Sequence, residues 1–391
     1  MTTLLLVLIY AAFISLGLPD GLLGSAWPVL HQDIGAAVGL AGVISFIITC
    51  GTIVSSLLSD RLTRRFGAGV VTAVSVLMTA AALFGFSAAN SFWQFCILAV
   101  PYGLGAGAVD AALNNVVALR YSARHMSWLH CFWGIGASIG PSIMGACLTG
   151  TLGWHGGYSV VGILQIIIAA VLFLSLPLWK SRLADGDTDE NNAAPIKLGD
   201  ALKIRGVKAV LIAFFSYCAA EMTAMLWSSS YLSMYRGVDE RTAAFLATLF
   251  YFGMTGGRFV SGFLAERFSD RTLIRTGALI ALGGILLCAL PIPSAYPAMI
   301  GLLIIGLGCA PIYPSIIHAT PTAFGKEYSG VIIGIEMASA YAGSCLMPPL
   351  FGWLSSFMSM GLFPFFLLFF MSALLLMSDR AFRTPSPTVT N

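Results

Sequence analysis

The sequence predicts an all-α integral membrane protein of twelve transmembrane helices, arranged as two pseudo-symmetric six-helix bundles. Three observations carry this prediction. The 391 residues are 58% hydrophobic and only 9% charged, with a mean hydropathy of +0.88. About twenty apolar residues cross a bilayer as a helix, and runs of that length recur along the whole chain, without the strand-like alternation of a membrane barrel. The two halves also echo each other around a single long polar segment.

Taken in order, the apolar runs place spans at 4–30, 38–58, 68–88, 92–119, 127–149 and 157–179, then 207–234, 241–264, 272–292, 296–318, 328–354 and 360–379. The domain reading is a first bundle over 1–180, a linker over 181–206 and a second bundle over 207–391 with a short tail. The linker reads as solvated, with its run Asp185-Gly-Asp-Thr-Asp-Glu190 followed by Asn191, Asn192 and Pro195. The apolar start, Met1 to Ala12, lacks a basic flank and reads as the beginning of the first span, not as a cleaved signal. Lys and Arg gather in the even-numbered connections and at the C-terminal end, which predicts that those connections and, with twelve spans, both termini are cytoplasmic.

Composition excludes several classes. A net charge of +3 gives no footprint for nucleic acid. All eight cysteines lie within apolar runs, so neither a disulfide framework nor a metal-ligand spacing is read from them. With no HExxH and no nucleophile–base pair, no enzyme and no cofactor are expected. The glycine-rich stretches Gly103-Leu-Gly-Ala-Gly107 and Gly134-Ile-Gly136 follow no strand, so they read as close helix contacts and not as phosphate cradles.

The repeat is visible in particular residues. Ser56-Leu-Leu-Ser-Asp60-Arg61-Leu-Thr-Arg64-Arg65 follows the second span and Gly262-Phe-Leu-Ala-Glu266-Arg267-Phe-Ser-Asp270-Arg271 follows the eighth. Gly103-Leu-Gly105 in the fourth span matches Gly306-Leu-Gly308 in the tenth. Two six-helix halves joined by a polar linker are the layout of a parallel-repeat transporter, with its site between the halves. The charged loops, Asp60, Arg61, Arg64 and Arg65 with Glu266, Arg267 and Arg271, read as gate residues, against the alternative of ordinary positive-inside topology.

Four acidic residues lie deep in apolar segments: Asp20, Asp110, Glu221 and Glu336. A charge in hydrocarbon is costly, so such residues face cavities, pair, or take up protons. Asp20 follows Pro19 among Gly17, Gly21 and Gly24, where a helix is weakened, and Trp27 stands seven residues on along the same face. Asp110 and Asn114 share a face at i and i+4, offering acceptors and amide donors that suit vicinal hydroxyls, while Asn115 points about 100° away. His130 opens the fifth span as a plausible proton partner. Glu221, with Trp227 two turns later, suits a polar ligand that also offers a ring face. Glu336, among Gly334, Ala338 and Gly343, reads equally as a site acid or as an inter-helix partner.

The repeated acid–Arg loop resembles the signature of the major facilitator superfamily. The first copy departs from it at Ser56 and Thr63, where that signature favours glycine; the second keeps Gly262. A narrower set resembles the fucose–galactose–glucose:proton symporter branch: Gly17-Leu-Pro-Asp20 through Trp27-Pro28, Gly105-Ala-Gly-Ala-Val-Asp110 through Asn114-Asn115, and Trp128-Leu-His130 through Gly140-Pro141. This resemblance implies a secondary active transporter of the major facilitator fold, with proton-coupled symport of a sugar or related small polar solute by alternating access. Asp20, Asp110 and His130 are then the proton-coupling set. Asp20, Trp27, Asp110, Asn114, Asn115, His130, Glu221, Trp227 and Glu336 are the candidate solute contacts. A proton-coupled antiporter exporting drugs or amphipathic metabolites stays open, since the same acids serve it and the chain has fifteen Met and twenty-six Phe. The expected partners are a small-molecule solute, protons and membrane lipid, with the chain acting as a monomer in a bacterial inner membrane. Sodium also fits, through backbone carbonyls freed at Pro19.

Overall fold

The computed structural model describes residues 2–37, 40–179, 196–292 and 294–382. The acidic run of the linker lies outside the described residues, as do Lys180, Arg182 and Arg383. Helices account for nearly everything described, with no strand among those residues. Only a helix satisfies its own backbone within hydrocarbon, and the chain is built accordingly.

In order the helices are α1 (Thr2–Gly17), α2 (Leu22–Asp33), α3 (Ala41–Phe66), α4 (Ala68–Ala88), α5 (Phe92–Arg120), α6 (Ala123–Thr149), α7 (Gly153–Leu174), the short α8 (Leu198–Ala201), α9 (Val207–Met234), α10 (Glu240–Leu264), α11 (Asp270–Ala289), α12 (Tyr296–Cys309), α13 (Ile312–Phe324), α14 (Ser329–Phe357) and α15 (Phe363–Phe382). Eleven spans among the described residues are long and apolar enough to cross a membrane, with α1–α2 and α12–α13 each counting as one interrupted span. The helix in the eighth position, α10, is of comparable length and carries Arg258. The twelve predicted spans therefore all have helical counterparts.

Two spans are interrupted where the sequence reading drew single helices. α1 stops at Gly17 and α2 starts at Leu22. Pro19 has no N–H to continue the helix, and Gly21 takes φ 79°, a left-handed conformation that favours glycine. The tenth span breaks between α12 and α13 at Ala310-Pro311, and the second piece runs six residues past the predicted end, to Phe324. α3 likewise outlasts its apolar run, reaching Phe66. The hydropathy ends at the membrane edge, while Asp60 and Arg64, four residues apart, support the helix beyond it.

The described residues fall into two compact units. One comprises Met1–Val116 and Leu129–Pro195; the other comprises Val117–Trp128 and Ile196–Asn391. In the first, α4 packs along α7, and a ring cluster of Phe86, Phe95, Tyr102, Trp154 and Tyr158 fills its core. In the second, α9 is the hub, packed on α14 and α15, while α12 packs on α10 and α11. Arg236, just after α9, donates to the carbonyls of Leu290 and Ile292 at 2.9 and 3.0 Å and to that of Cys288, closing the end of α11 whose last carbonyls lack helical partners.

The repeated glycines hold the same kind of contact in both units. A Cβ on Gly103 would strike the Ile48 carbonyl of α3, and one on Gly306 would strike the Phe250 carbonyl of α10. Small residues let backbones approach to this distance, which is the packing available to helices in lipid.

Candidate functional site

Asp20 sits in the turn between α1 and α2, exposed, and its Oδ2 accepts a hydrogen bond from the Trp133 indole Nε1 at 3.0 Å. α6 reaches it because α1 and α6 almost touch. Gly17 lies on the Trp133 carbonyl, Gly136 on that of Ile14 and Gly140 on that of Leu18, each without room for a Cβ. Pro19 deprives the Ser15 carbonyl, four residues earlier, of its helical donor. Gln165 of α7 replaces it: its Nε2 donates to that carbonyl, while the Ser15 hydroxyl donates to Gln165 Oε1 at 2.5 Å. Both residues are buried, so the exchange satisfies groups that water does not reach. A small cavity of the order of a single water lies here, bounded by Ser15, Asp20, Ser75, Thr79 and Tyr102.

Asp110 and Asn114 behave as the i, i+4 spacing predicts. Asn114 Nδ2 donates to Asp110 Oδ1 at 2.8 Å and to the Asp110 carbonyl at 3.0 Å, with both residues buried on α5. Asn114 Oδ1 is a buried acceptor with no protein partner. Asn115 is half-buried, on another side of the helix. His130 of α6 is buried, edge-on to Phe13 of α1 at 5.6 Å between ring centroids. Trp27 departs from its expected place. The interruption at 18–21 breaks the seven-residue register, and Trp27 packs in the core with Leu22, Ala26 and Leu30. The indole at Asp20 is Trp133 instead.

In the second unit Glu221 of α9 meets Arg258 of α10, with Arg258 Nη2 donating to Glu221 Oε1 at 3.1 Å between two buried side chains. Tyr217, one turn before Glu221, donates to the Cys309 carbonyl at 3.1 Å, where the tenth span breaks. Trp227 donates to the Pro348 carbonyl at 2.9 Å and lies on Gly352, so its polar end is used in joining α9 to α14. Glu336 is wholly buried in α14, with its oxygens 2.8 and 3.0 Å from the Thr320 hydroxyl of α13. That hydroxyl also lies 3.1 Å from the Ile316 carbonyl. Thr320 has one proton to give, which the Glu336 carboxyl and the Ile316 carbonyl are both placed to accept.

The two charged loops share a sequence but not a set of partners. Asp60 holds Arg64 of its own helix, at 3.0 and 3.2 Å to Nε, while Arg61 and Arg65 are exposed and the Arg65 guanidinium lies 5.2 Å from the Phe66 ring centroid. In the second copy an acid, Asp270, replaces Arg64. Glu266 turns instead to Arg124 at 2.7 Å, and the Arg124 guanidinium also stacks 5.1 Å from the Trp128 ring. Asp270 takes His318 Nδ1 at 2.7 Å, and His318 Nε2 lies 3.3 Å from the Tyr121 carbonyl. Arg271 is 3.8 Å from Asp379, and Arg267 is exposed.

A two-unit helical fold with an acid–Arg loop in each half is what the comparisons with known proteins meet. The profile of the Major Facilitator Superfamily matches residues 9–233 and 209–390, between them almost the whole chain. The chain belongs to that superfamily. Among solved structures, a crystal structure of the Escherichia coli fucose:proton symporter superposes with a TM-score of 0.76 at 15% identity, covering 96% of this chain and 98% of that one, a likeness of fold. Among curated relatives, Bypass of stop codon protein 6 of Saccharomyces cerevisiae is 22% identical over 285 residues, 66% of this chain but only 56% of that protein's length. The cis,cis-muconate transport protein of Acinetobacter baylyi is 25% identical over 341 residues, 82% of this chain and 80% of that one. This superfamily member is a transporter and not an enzyme.

Sequence reasoning did not single out Trp133, Gln165, Arg258 or Thr320. Two of them carried a signal: Gln165 is a lone amide in an apolar helix, and Arg258 is a base deep within the eighth span. Such residues need partners by the same argument that singled out the four acids.

Proposed function

We propose that this superfamily member is a proton-coupled symporter of a small polar solute, a sugar or a close relative, working by alternating access. It sits in a bacterial inner membrane with both termini cytoplasmic. The observation that carries the proposal is Asp20: an exposed carboxyl at a helix interruption, beside a small cavity, held through one oxygen by an uncharged indole. Trp133 can donate to Oδ2 whether or not Oδ1 carries a proton. Protonation therefore changes the charge of the site without breaking the contact that positions it. Asp110, buried with its amide on α5, is the second coupling acid, and Asn114 Oδ1 is an acceptor for a solute hydroxyl.

Protons fit this site better than sodium. The Ser15 carbonyl freed by Pro19, which would serve as a cation ligand, is engaged by Gln165. The fucose:proton likeness supports a sugar. A second reading, a small organic acid in place of the sugar, is supported by relatives named for cis,cis-muconate and 4-hydroxybenzoate. Proteoliposomes containing a luminal pH dye test the proposal. Addition of a hexose or deoxyhexose acidifies the lumen if the sugar reading is right, and muconate or 4-hydroxybenzoate does so under the second. If no solute of either class carries a proton inward, the symport proposal fails.

A further inference from the structure

Arg258 is the one buried Lys or Arg among the described residues. It sits within α10, and its side chain, 8% exposed, meets Glu221, 10% exposed, at 3.1 Å. The other titratable groups around the pair are Tyr217 and Cys218 of α9, Tyr251 of α10, Cys309 at the end of α12 and Tyr313 of α13. Phenols and thiols are uncharged near neutral pH. Glu221 and Arg258 thus form one negative and one positive charge in otherwise uncharged, apolar surroundings. A proton added to Glu221 would leave the guanidinium alone there, and the loss of one partner from a buried pair is strongly unfavourable.

We propose that Arg258 is a positioning residue of the transport cycle: it holds Glu221 as a permanent anion, so that Glu221 exchanges no proton and coupling stays with the carboxyls of the first unit. This rests on the proton-coupled reading above. The place of the pair gives it a further use. Tyr217, one turn from Glu221, ties α9 to the Cys309 carbonyl at the break in the tenth span, so the fixed anion stands beside the second unit's interruption as Asp20 stands in the first unit's. Arg258→Gln removes the only cation facing Glu221 among the described residues and turns Glu221 into one more titrating acid.

Infrared difference spectroscopy of the full-length protein, between acid and alkaline pH, detects protonated carboxyls directly and needs no solute. Glu221→Gln is expected to leave the wild-type difference spectrum unchanged. Arg258→Gln is expected to add one carboxyl band, absent from the Arg258→Gln/Glu221→Gln double variant. Arg258→Lys, which keeps the charge, is expected to add none. Loss of a band in Glu221→Gln overturns the proposal, because Glu221 would already titrate; so does the absence of a new band in folded Arg258→Gln. Should Arg258→Gln not fold, Glu221→Gln still decides. Asp20→Asn and Asp110→Asn in the same experiment test the coupling reading separately: if neither removes a band, that reading fails and the Arg258 result stands.

Discussion

The acids of the first unit and those of the second meet different company. Asp20 receives an indole N–H and Asp110 an amide N–H, both from uncharged groups. Glu221 receives a guanidinium, and Glu336 is sealed against a threonine hydroxyl with no exposure at all. An indole or amide can keep its bond to a carboxyl that gains a proton. A guanidinium loses its counter-charge by the same event, and a sealed acid has no water from which to take one. The difference teaches that four acids of similar depth in the sequence divide by partner: those of the first unit suit changing charge during a cycle, those of the second suit keeping it.

The largest effect expected from this contrast compares Asp110→Asn with Glu336→Gln. Asp110→Asn should lower proton-driven uptake by about 100-fold or more, the usual weight of a positioned proton-transfer group. Glu336→Gln, which keeps a side-chain oxygen to accept from Thr320, should stay near wild type. Equal losses in the two variants, measured as initial uptake rates, would erase the distinction between the units.

The close approach of α1 and α6 comes next, because it places Trp133 on Asp20. Gly140→Val puts a branched side chain against the Leu18 carbonyl and should destabilise the protein by roughly 1–3 kcal/mol, the range for an overpacked contact. Thermal unfolding in detergent measures this, and an unchanged midpoint would show that the helices separate easily. Gln165→Leu leaves the Ser15 carbonyl and hydroxyl without their buried partner and should cost about 1–3 kcal/mol, read by the same assay. The smallest effect is expected at the Arg124–Glu266 pair, whose side chains are 32% and 46% exposed. Arg124→Ala should change stability by less than about 1 kcal/mol, the usual range for an exposed ion pair. A larger loss would make that loop a principal support of the second unit.

Much of the fold was legible in the sequence because the membrane enforces it: runs of apolar residues had to become helices, and the matched glycines of the fourth and tenth spans had to meet backbone. What was not legible was where proline breaks a helix. Pro101 and Pro141 lie inside continuous helices, whereas Pro19 and Pro311 stand at interruptions. At Pro19 the difference is Gly21, whose positive φ lets the chain turn. The register of Trp27 was lost for the same reason, since a seven-residue spacing has meaning only along an unbroken helix. The i, i+4 pair Asp110–Asn114 lies on one uninterrupted helix, and there the spacing carried through to a hydrogen bond. The charged loops show another limit. Matching sequences acquired different partners because one position, Arg64 in the first copy and Asp270 in the second, reversed its charge. Trp133, Gln165 and Arg258 act across helices, and a single sequence does not reveal which helices are neighbours.

The most direct test of the claim that Asp20 changes charge to couple the cycle is to compare exchange with accumulation in Asp20→Asn proteoliposomes. With the carboxyl fixed as a neutral amide still able to receive the Trp133 bond, the variant should exchange labelled for unlabelled solute at a rate independent of pH, yet fail to concentrate it against a proton gradient. Accumulation at the wild-type level in Asp20→Asn would contradict the account.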